Sequence, residues 1–299
     1  SITTRGPGES LNGSAGSCIV TSMPDFASPK RSLGQNFLAD PNICRRIVAT
    51  LGLEPGDPVL EIGPGRGALT RILDEHSGPV MALEKDSDLV RHVRQTFPRV
   101  GVIHADGLEF CWEGTAAMPG LCLVGNLPYN VASPMIWEMV SRCRNWKTMV
   151  FMVQKEVAQR LTAREGGRAY GAISAWVGNF VRPEFVFTVP PQVFRPQPKV
   201  HSAVVRLSPR PDAAWAEARR LSVLLKTLFS RRRKQLGTIL KSGWSAQMEE
   251  WCALNKVDRR VRPEDLGPDQ LRALACIAVD VGGPRDPNLP ESSRCDCLA

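Results

Sequence analysis

The 299-residue sequence predicts an α/β fold, a mostly parallel sheet covered by helices on both faces, followed by a small all-helical domain. Three observations carry this. Short apolar runs of strand type alternate with helical patterns over roughly the first two thirds of the chain. The first strong run ends in a glycine-rich turn that opens a helix. Past Pro209 no convincing strand remains, and only helical patterns follow.

Taken in order, residues 1–27 are rich in Ser, Gly and Thr and lack a hydrophobic period, which predicts a disordered extension with Met23 as an alternative start. The absence of an apolar stripe there excludes a secretory signal. Residues 28–209 carry strand runs at 58–62, 80–83, 100–104, 121–125, 148–154 and 200–207. Helical patterns at 41–51, 68–75, 87–96, 134–142 and 155–163 separate the earlier ones. The helical domain is expected at 210–281, with helices at 215–230, 231–241, 246–254 and 268–279. A proline-rich disordered tail is expected at 282–299.

A formal net charge of +8 favours polyanionic partners. No run of about 18 apolar residues exists to span a bilayer, so a membrane partner is not expected. The nine cysteines are odd in number and mostly sit in apolar runs, as reduced core thiols in a cytoplasmic protein would. Cys295 and Cys297 have no nearby ligand partners, and no metal site is expected.

Candidate chemistry starts at Pro58-Val-Leu-Glu-Ile-Gly-Pro-Gly-Arg-Gly-Ala-Leu-Thr70, where Gly63, Gly65 and Gly67 let a ligand lie against bare backbone. Glu84 ends the next strand, placed to accept from ribose hydroxyls. Both NAD and S-adenosylmethionine fit this pattern. The spacing only meets the relaxed dinucleotide fingerprint, because Ala68 stands where its last glycine belongs. Asp106, in Ile103-His-Ala-Asp106-Gly107, is suited to accept from an adenine amine.

The fourth long strand runs into Gly125-Asn-Leu-Pro-Tyr-Asn130. An exocyclic adenine amine is a poor nucleophile because its lone pair is delocalised into the ring. Acceptors that draw its hydrogens out of plane relieve this. Asn126 offers a side-chain oxygen and Leu127 a carbonyl. Pro128 stiffens the turn, and Tyr129 offers a face for an extruded base. Further on, Arg231, Arg232, Arg233 and Lys234 lie in a stretch from Lys226 to Lys241 with six basic residues and no acid, fit to contact phosphates. Arg195 and Lys199 are expected to border the target entrance. Tyr170 and Trp176 are read as core.

With these residues in place, the chain over roughly 30–280 resembles the KsgA family of ribosomal RNA adenine dimethyltransferases. The resemblance rests on Lys30-Arg-Ser-Leu-Gly-Gln-Asn-Phe-Leu38, Gly125-Asn-Leu-Pro-Tyr-Asn130, Phe151-Met-Val-Gln-Lys-Glu-Val157 and Tyr170-Gly171. It rests further on Val193-Phe-Arg-Pro-Gln-Pro-Lys-Val-His-Ser-Ala-Val-Val-Arg206 and Phe229-Ser-Arg-Arg-Arg-Lys-Gln235. His201 stands where many members have Asp. The resemblance implies a Rossmann-like class I methyltransferase sheet. It implies S-adenosylmethionine held by Asn36, Leu38, Gly63, Gly65, Glu84, Asp106 and Asn126, and catalysis by Asn126, Leu127, Pro128 and Tyr129. The implied substrate is a pair of adjacent adenosines near the 3′ end of small-subunit rRNA, dimethylated by a monomer during subunit maturation. An RNA-binding assembly factor that uses the fold as a scaffold, a dinucleotide-dependent oxidoreductase and a DNA adenine methyltransferase are the alternatives.

Overall fold

The computed structural model describes residues 36–278. The expected extensions at 1–27 and 282–299, residues 30–35 of the amino-terminal motif, Cys295 and Cys297 lie outside them. Strand β1 (Phe37–Leu38) leads into helix α1 (Pro41–Thr50). Asp40 caps this helix, its carboxylate accepting from the amides of Asn42 at 2.8 Å and Ile43 at 3.2 Å, and Pro41 has no N–H to leave unpaired. The alternating pattern follows as β2 (Val59–Ile62), α2 (Thr70–Leu73), β3 (Val80–Glu84), α3 (Ser87–Thr96), β4 (Gly101–His104), β5 (Leu121–Asn126), α4 (Ala132–Arg142) and β6 (Trp146–Gln154). Next come α5 (Lys155–Leu161), α6 (Ala172–Phe180), β7 (Val181–Val189), β8 (Phe194–Arg195) and β9 (Ser202–Pro209). Helices α7 (Ala218–Ser230), α8 (Leu236–Ile239), α9 (Ala246–Leu254) and α10 (Pro268–Ile277) close the described chain.

The large sheet has the order β4-β3-β2-β5-β6-β9-β7. β4 through β6 are parallel, and β9 runs antiparallel to both of its neighbours. From β2 the chain builds outward first to β3 and β4, then reverses to β5 and β6. That reversal opens a crevice at the carboxyl ends of β2 and β5, where ligands of open α/β sheets bind. A short ribbon of β1 and β8 pairs Phe37 with Arg195 and Leu38 with Phe194, and Ala39 N–H extends it by donating to the Val193 carbonyl at 2.8 Å.

The central strands are buried on both faces and show it residue by residue, while the edge strands β4 and β7 are largely open to solvent. Leu121 and Leu123 of β5, Met149, Phe151 and Val153 of β6, and Ala203, Val205 and Leu207 of β9 enter one apolar layer. Cys122, Val124, Val150, Met152 and Val204 enter the other. The second layer is closed by Ile47 of α1, Leu73 of α2 and Val93 of α3. The first is closed by α4 and α6 and runs on without a break into Leu221, Leu225 and Leu228 of α7 and Leu271 and Leu274 of α10. At this junction Trp137 and Trp176 stack with centroids 4.1 Å apart and planes 3° from parallel, while Trp176 Nε1 donates to the Trp137 carbonyl at 2.9 Å. Such a pair contributes about 0.5–1.5 kcal/mol beyond its buried area.

Sequence patterns missed α6 and the strands β1, β7 and β8. Helix α6 buries its two polar residues, Ser174 and Asn179, along with its apolar ones and therefore has no clear period to read. β7 contains Pro183 and an irregular register between Phe185 and Phe187, features favoured at sheet edges, and it is an edge strand of this sheet. One expectation is corrected: residues 231–241 are not a helix. Helix α7 ends at Ser230, Arg231 to Arg233 form a turn, and α8 spans only Leu236–Ile239. The backbone amides of Leu236 and Gly237 donate to the carbonyls of Val261 and Arg259, at 2.8 and 2.9 Å, rather than to carbonyls one turn back.

Candidate active site

A cleft of about 220 Å³ lies over the crevice. Asn36, Leu38, Gly63, Gly65, Glu84, Asp106, Asn126, Leu127, Pro128 and Tyr129 all line it. Residues from five separate stretches of sequence thus face one space.

The glycine turn after β2 holds Gly63, Gly65 and Gly67 at φ values of 66°, 57° and 82°, which only glycine adopts without strain. At Gly65 a Cβ would also stand 3.0 Å from the Phe37 ring, which lies across the turn with the Arg66 guanidinium on it, 4.6 Å from the ring centroid. Gly65 N–H donates to Glu84 Oε2 at 3.2 Å, and Glu84 Oε1 accepts from the amides of Lys85 and Asp86, both at 2.9 Å. Three of about four lone-pair sites on this carboxylate are therefore filled by backbone, leaving one on Oε2 for a ligand hydroxyl. Burial raises the Glu84 pKa against the pull of those amides.

Asp106, beyond β4, is held by its Oδ1, which accepts from Leu108 N–H at 3.0 Å. Its Oδ2 lies 2.5 Å from Lys85 Nζ. The hydrogen bond and charge of Lys85 keep this carboxyl below its ordinary pKa, so it is an anionic acceptor at neutral pH. Leu83, Leu89, Leu108 and Met135 give the same part of the cleft apolar walls.

Asn126 is the last residue of β5. Its Nδ2 donates to the Asn36 carbonyl at 2.9 Å, across 90 positions of sequence. Because that partner is an acceptor, the NH₂ end must face it, and the side-chain oxygen is left for another donor. The loop that follows is fixed from both sides. Leu127 N–H donates to the Met152 carbonyl at 3.0 Å, and the Pro128 carbonyl accepts from Val131 at 3.1 Å and Ala132 at 3.0 Å. Gly125 is needed for a different reason from the turn glycines: a Cβ there would lie 2.5 Å from the Ile62 carbonyl of the neighbouring strand. Tyr129 is half-buried and its Oη lies 2.6 Å from Ser202 Oγ.

Sequence reasoning assigned no role to Glu61, Lys85 or Ser202. Glu61 is the least expected of them, a carboxyl on β2 that lines the cleft from below, is wholly buried and accepts from Thr70 Oγ1 at 2.6 Å. Burial, with the charge of Glu84 adding to it, pushes its pKa from the ordinary 4.5 up to about 7. The folded chain therefore holds this proton through a range where the unfolded chain has lost it. Linkage then makes the contribution of Glu61 to stability decline as pH rises from 4.5 to about 7 and level off above that. Glu61→Gln keeps an acceptor for Thr70 and should abolish this decline, so its melting temperature gains on the parent from pH 5 to pH 8. Parallel curves for the two proteins over that range would contradict the assignment.

The basic turn after α7 divides. Arg231, Arg233 and Lys234 are exposed, whereas Arg232 is half-buried, pairs with Glu264 and donates to the Arg168 carbonyl at 2.9 Å. Arg195 and Lys199 are exposed, with Arg195 held by the carbonyls of Gln192 and Phe194. Tyr170 and Trp176 are core residues, Tyr170 Oη donating to the Leu266 carbonyl at 2.9 Å. Among the described residues no three His, Cys, Asp or Glu side chains are grouped to hold a metal ion, and no helix is long and apolar enough to cross a membrane.

Comparison with known proteins agrees with this geometry. Residues 27–277 match the family model described as ribosomal RNA adenine dimethylase. A ribosomal RNA small subunit methyltransferase A from Maridesulfovibrio salexigens is 45% identical over 248 residues, covering 82% of this chain and 94% of the relative. A dimethyladenosine transferase from Plasmodium falciparum superposes with a TM-score of 0.67 at 27% identity, over 80% of this chain and 96% of that one. The 23S rRNA methyltransferase ErmE does so with a TM-score of 0.62 at 26% identity, over 81% and 99%. The fold is thus that of the class I methyltransferases, and the chain belongs to the ribosomal RNA adenine dimethylase family.

Proposed function

We propose that this enzyme uses S-adenosylmethionine to dimethylate the N6 amines of two adjacent adenosines near the 3′ end of small-subunit rRNA, acting as a cytoplasmic monomer late in subunit assembly. The observation that carries the reading is the state of Asn126. Its amide end is committed to Asn36, which leaves its oxygen for another donor, and both it and Leu127 line the cleft that holds the glycine turn.

Glu84, through its remaining Oε2 site, and Asp106 would hold the ribose and adenine ends of the cofactor. Phe37 and the turn glycines would bound its middle. The bound cofactor supplies an electrophilic methyl group. The protein's own part is to make the amine nucleophilic. Two acceptors fixed by the backbone draw the N6 hydrogens out of the ring plane, so the nitrogen lone pair is localised before reaction begins. Tyr129 offers the face on which the extruded base rests. No strong base is required, because the alkylated ammonium is acidic enough to lose its proton to water.

The test is methyl transfer from labelled S-adenosylmethionine to small subunits that lack these modifications, with the labelled nucleoside identified by mass spectrometry. Dimethyladenosine at adjacent positions is expected. Saturable binding to the same subunits without transfer would move the reading to an assembly factor.

A further inference from the structure

We propose that Ser202 is a positioning residue for methyl transfer, its hydroxyl holding the Tyr129 ring in the attitude that receives the target adenine. This rests on the reading of Tyr129 as the base platform.

The placement comes from the topology. Because β9 runs antiparallel to β6, its first residue lies at the same edge of the sheet as the last residue of β5. Ser202 is that first residue, and its backbone is registered with Gln154 of β6 on one side and Val189 of β7 on the other. It is completely buried and has no freedom to drift. β5 and β9 are two strand spacings apart, about 10 Å, a gap that a tyrosine side chain reaching back from the loop after β5 can close. The resulting contact of 2.6 Å is at the short end for a hydroxyl pair.

Chemistry explains why a serine stands there. The residues that follow it, Ala203, Val204 and Val205, are apolar and fully buried, as a central strand requires. A hydroxyl among them costs desolvation unless it is hydrogen-bonded, and the partner it has is Tyr129. The bond is therefore specific rather than incidental. For Tyr129 the effect is on orientation. The loop backbone is pinned by Met152, Val131 and Ala132, which fixes the Cα end of the side chain. The second torsion of a tyrosine has a broad well, so the ring would still rock about its Cβ–Cγ bond and tilt with its first torsion. Tethering Oη to a rigid strand removes the tilt. The phenol is not needed as an acid or base, and burial raises its pKa further from neutrality.

The experiment is a double-mutant cycle on the full-length enzyme with Ser202→Ala, Tyr129→Phe and the double variant, read as single-turnover methyl transfer at saturating RNA. Each single variant is expected to be slower by about tenfold, the scale of a modest misplacement of a reacting group. The double variant should be no slower than either single one, and Ser202→Thr, which restores a hydroxyl, should regain most of the rate. Cofactor affinity should be unchanged throughout, and any fall in melting temperature should appear in the single variants, each of which leaves one hydroxyl unpaired, and be no larger in the double variant. Losses that multiply in the double variant, or a Ser202→Ala enzyme with the parent's rate, would overturn the positioning role. A separate Tyr129→Ala variant keeps the two ideas apart: a normal rate there would remove Tyr129 as the platform, whereas a severe loss beside a normal Ser202→Ala would overturn the positioning alone.

Discussion

Asn126→Ala is expected to slow methyl transfer by about 10²- to 10³-fold while leaving RNA binding intact, the range seen when one preorganised hydrogen-bonding group is removed from a transition-state site. The loss has two sources, and a second substitution separates them. Alanine removes the proposed acceptor for the N6 hydrogen and also the donor to the Asn36 carbonyl that ties the segment carrying Phe37 to β5. Asn126→Asp retains acceptor oxygens but points one at the Asn36 carbonyl, where two acceptors repel. It should therefore bind cofactor more weakly than the parent yet outpace the alanine variant once cofactor is saturating. Single-turnover rates at several cofactor concentrations, beside filter binding of RNA, make the measurement. Unchanged rates in Asn126→Ala would remove this residue from the mechanism.

The second large effect is expected at the turn after α7. Reversing Arg231, Arg233 and Lys234 to Glu should weaken RNA binding by at least about 10²-fold near 100 mM salt. The slope of log affinity against log salt should flatten by about 2 to 3, since each lost phosphate contact removes 0.7 to 0.9. Arg232 is left in place because its pairing with Glu264 and the Arg168 carbonyl fixes the turn to the rest of the protein. The rate at saturating RNA should be near that of the parent, because none of the three lines the cleft. An unchanged slope between about 50 and 200 mM salt would show that these side chains face something other than phosphate.

The sequence patterns located the parallel strands and both ends of the candidate cleft because each is written locally. A short unbroken apolar run, a glycine-rich turn and an Asn-Leu-Pro-Tyr turn announce themselves within a dozen residues. What they did not announce is partnership across the chain. Whether Glu61 is buried depends on Thr70 and on the layer packed against β2. Whether Arg232 is free depends on Glu264, and the end of the 231–241 helix depends on carbonyls of Val261 and Arg259. Helix α6 was invisible because its polar residues, Ser174 and Asn179, are buried with the apolar ones, and β7 because of its proline and irregular register. The two nitrogen and oxygen ends of Asn126 are alike in sequence, and only the Asn36 carbonyl tells them apart.

The ribbon of β1 and β8 has a consequence for how the enzyme is made. Phe37 and Leu38, which border the cleft, have their strand partners at Arg195 and Phe194, some 157 residues later in the chain. At about 5 to 20 residues per second, a translating ribosome emits the glycine turn, Glu84 and the Asn126 loop many seconds before it emits those partners. Through that interval the amino-terminal segment has no strand to pair with, so a nascent chain possesses the chemistry before it possesses the cover. On the proposed reading competence is acquired late in synthesis, and a chain truncated before residue 194 would carry every proposed cofactor contact without the ribbon that seats Phe37 and Leu38.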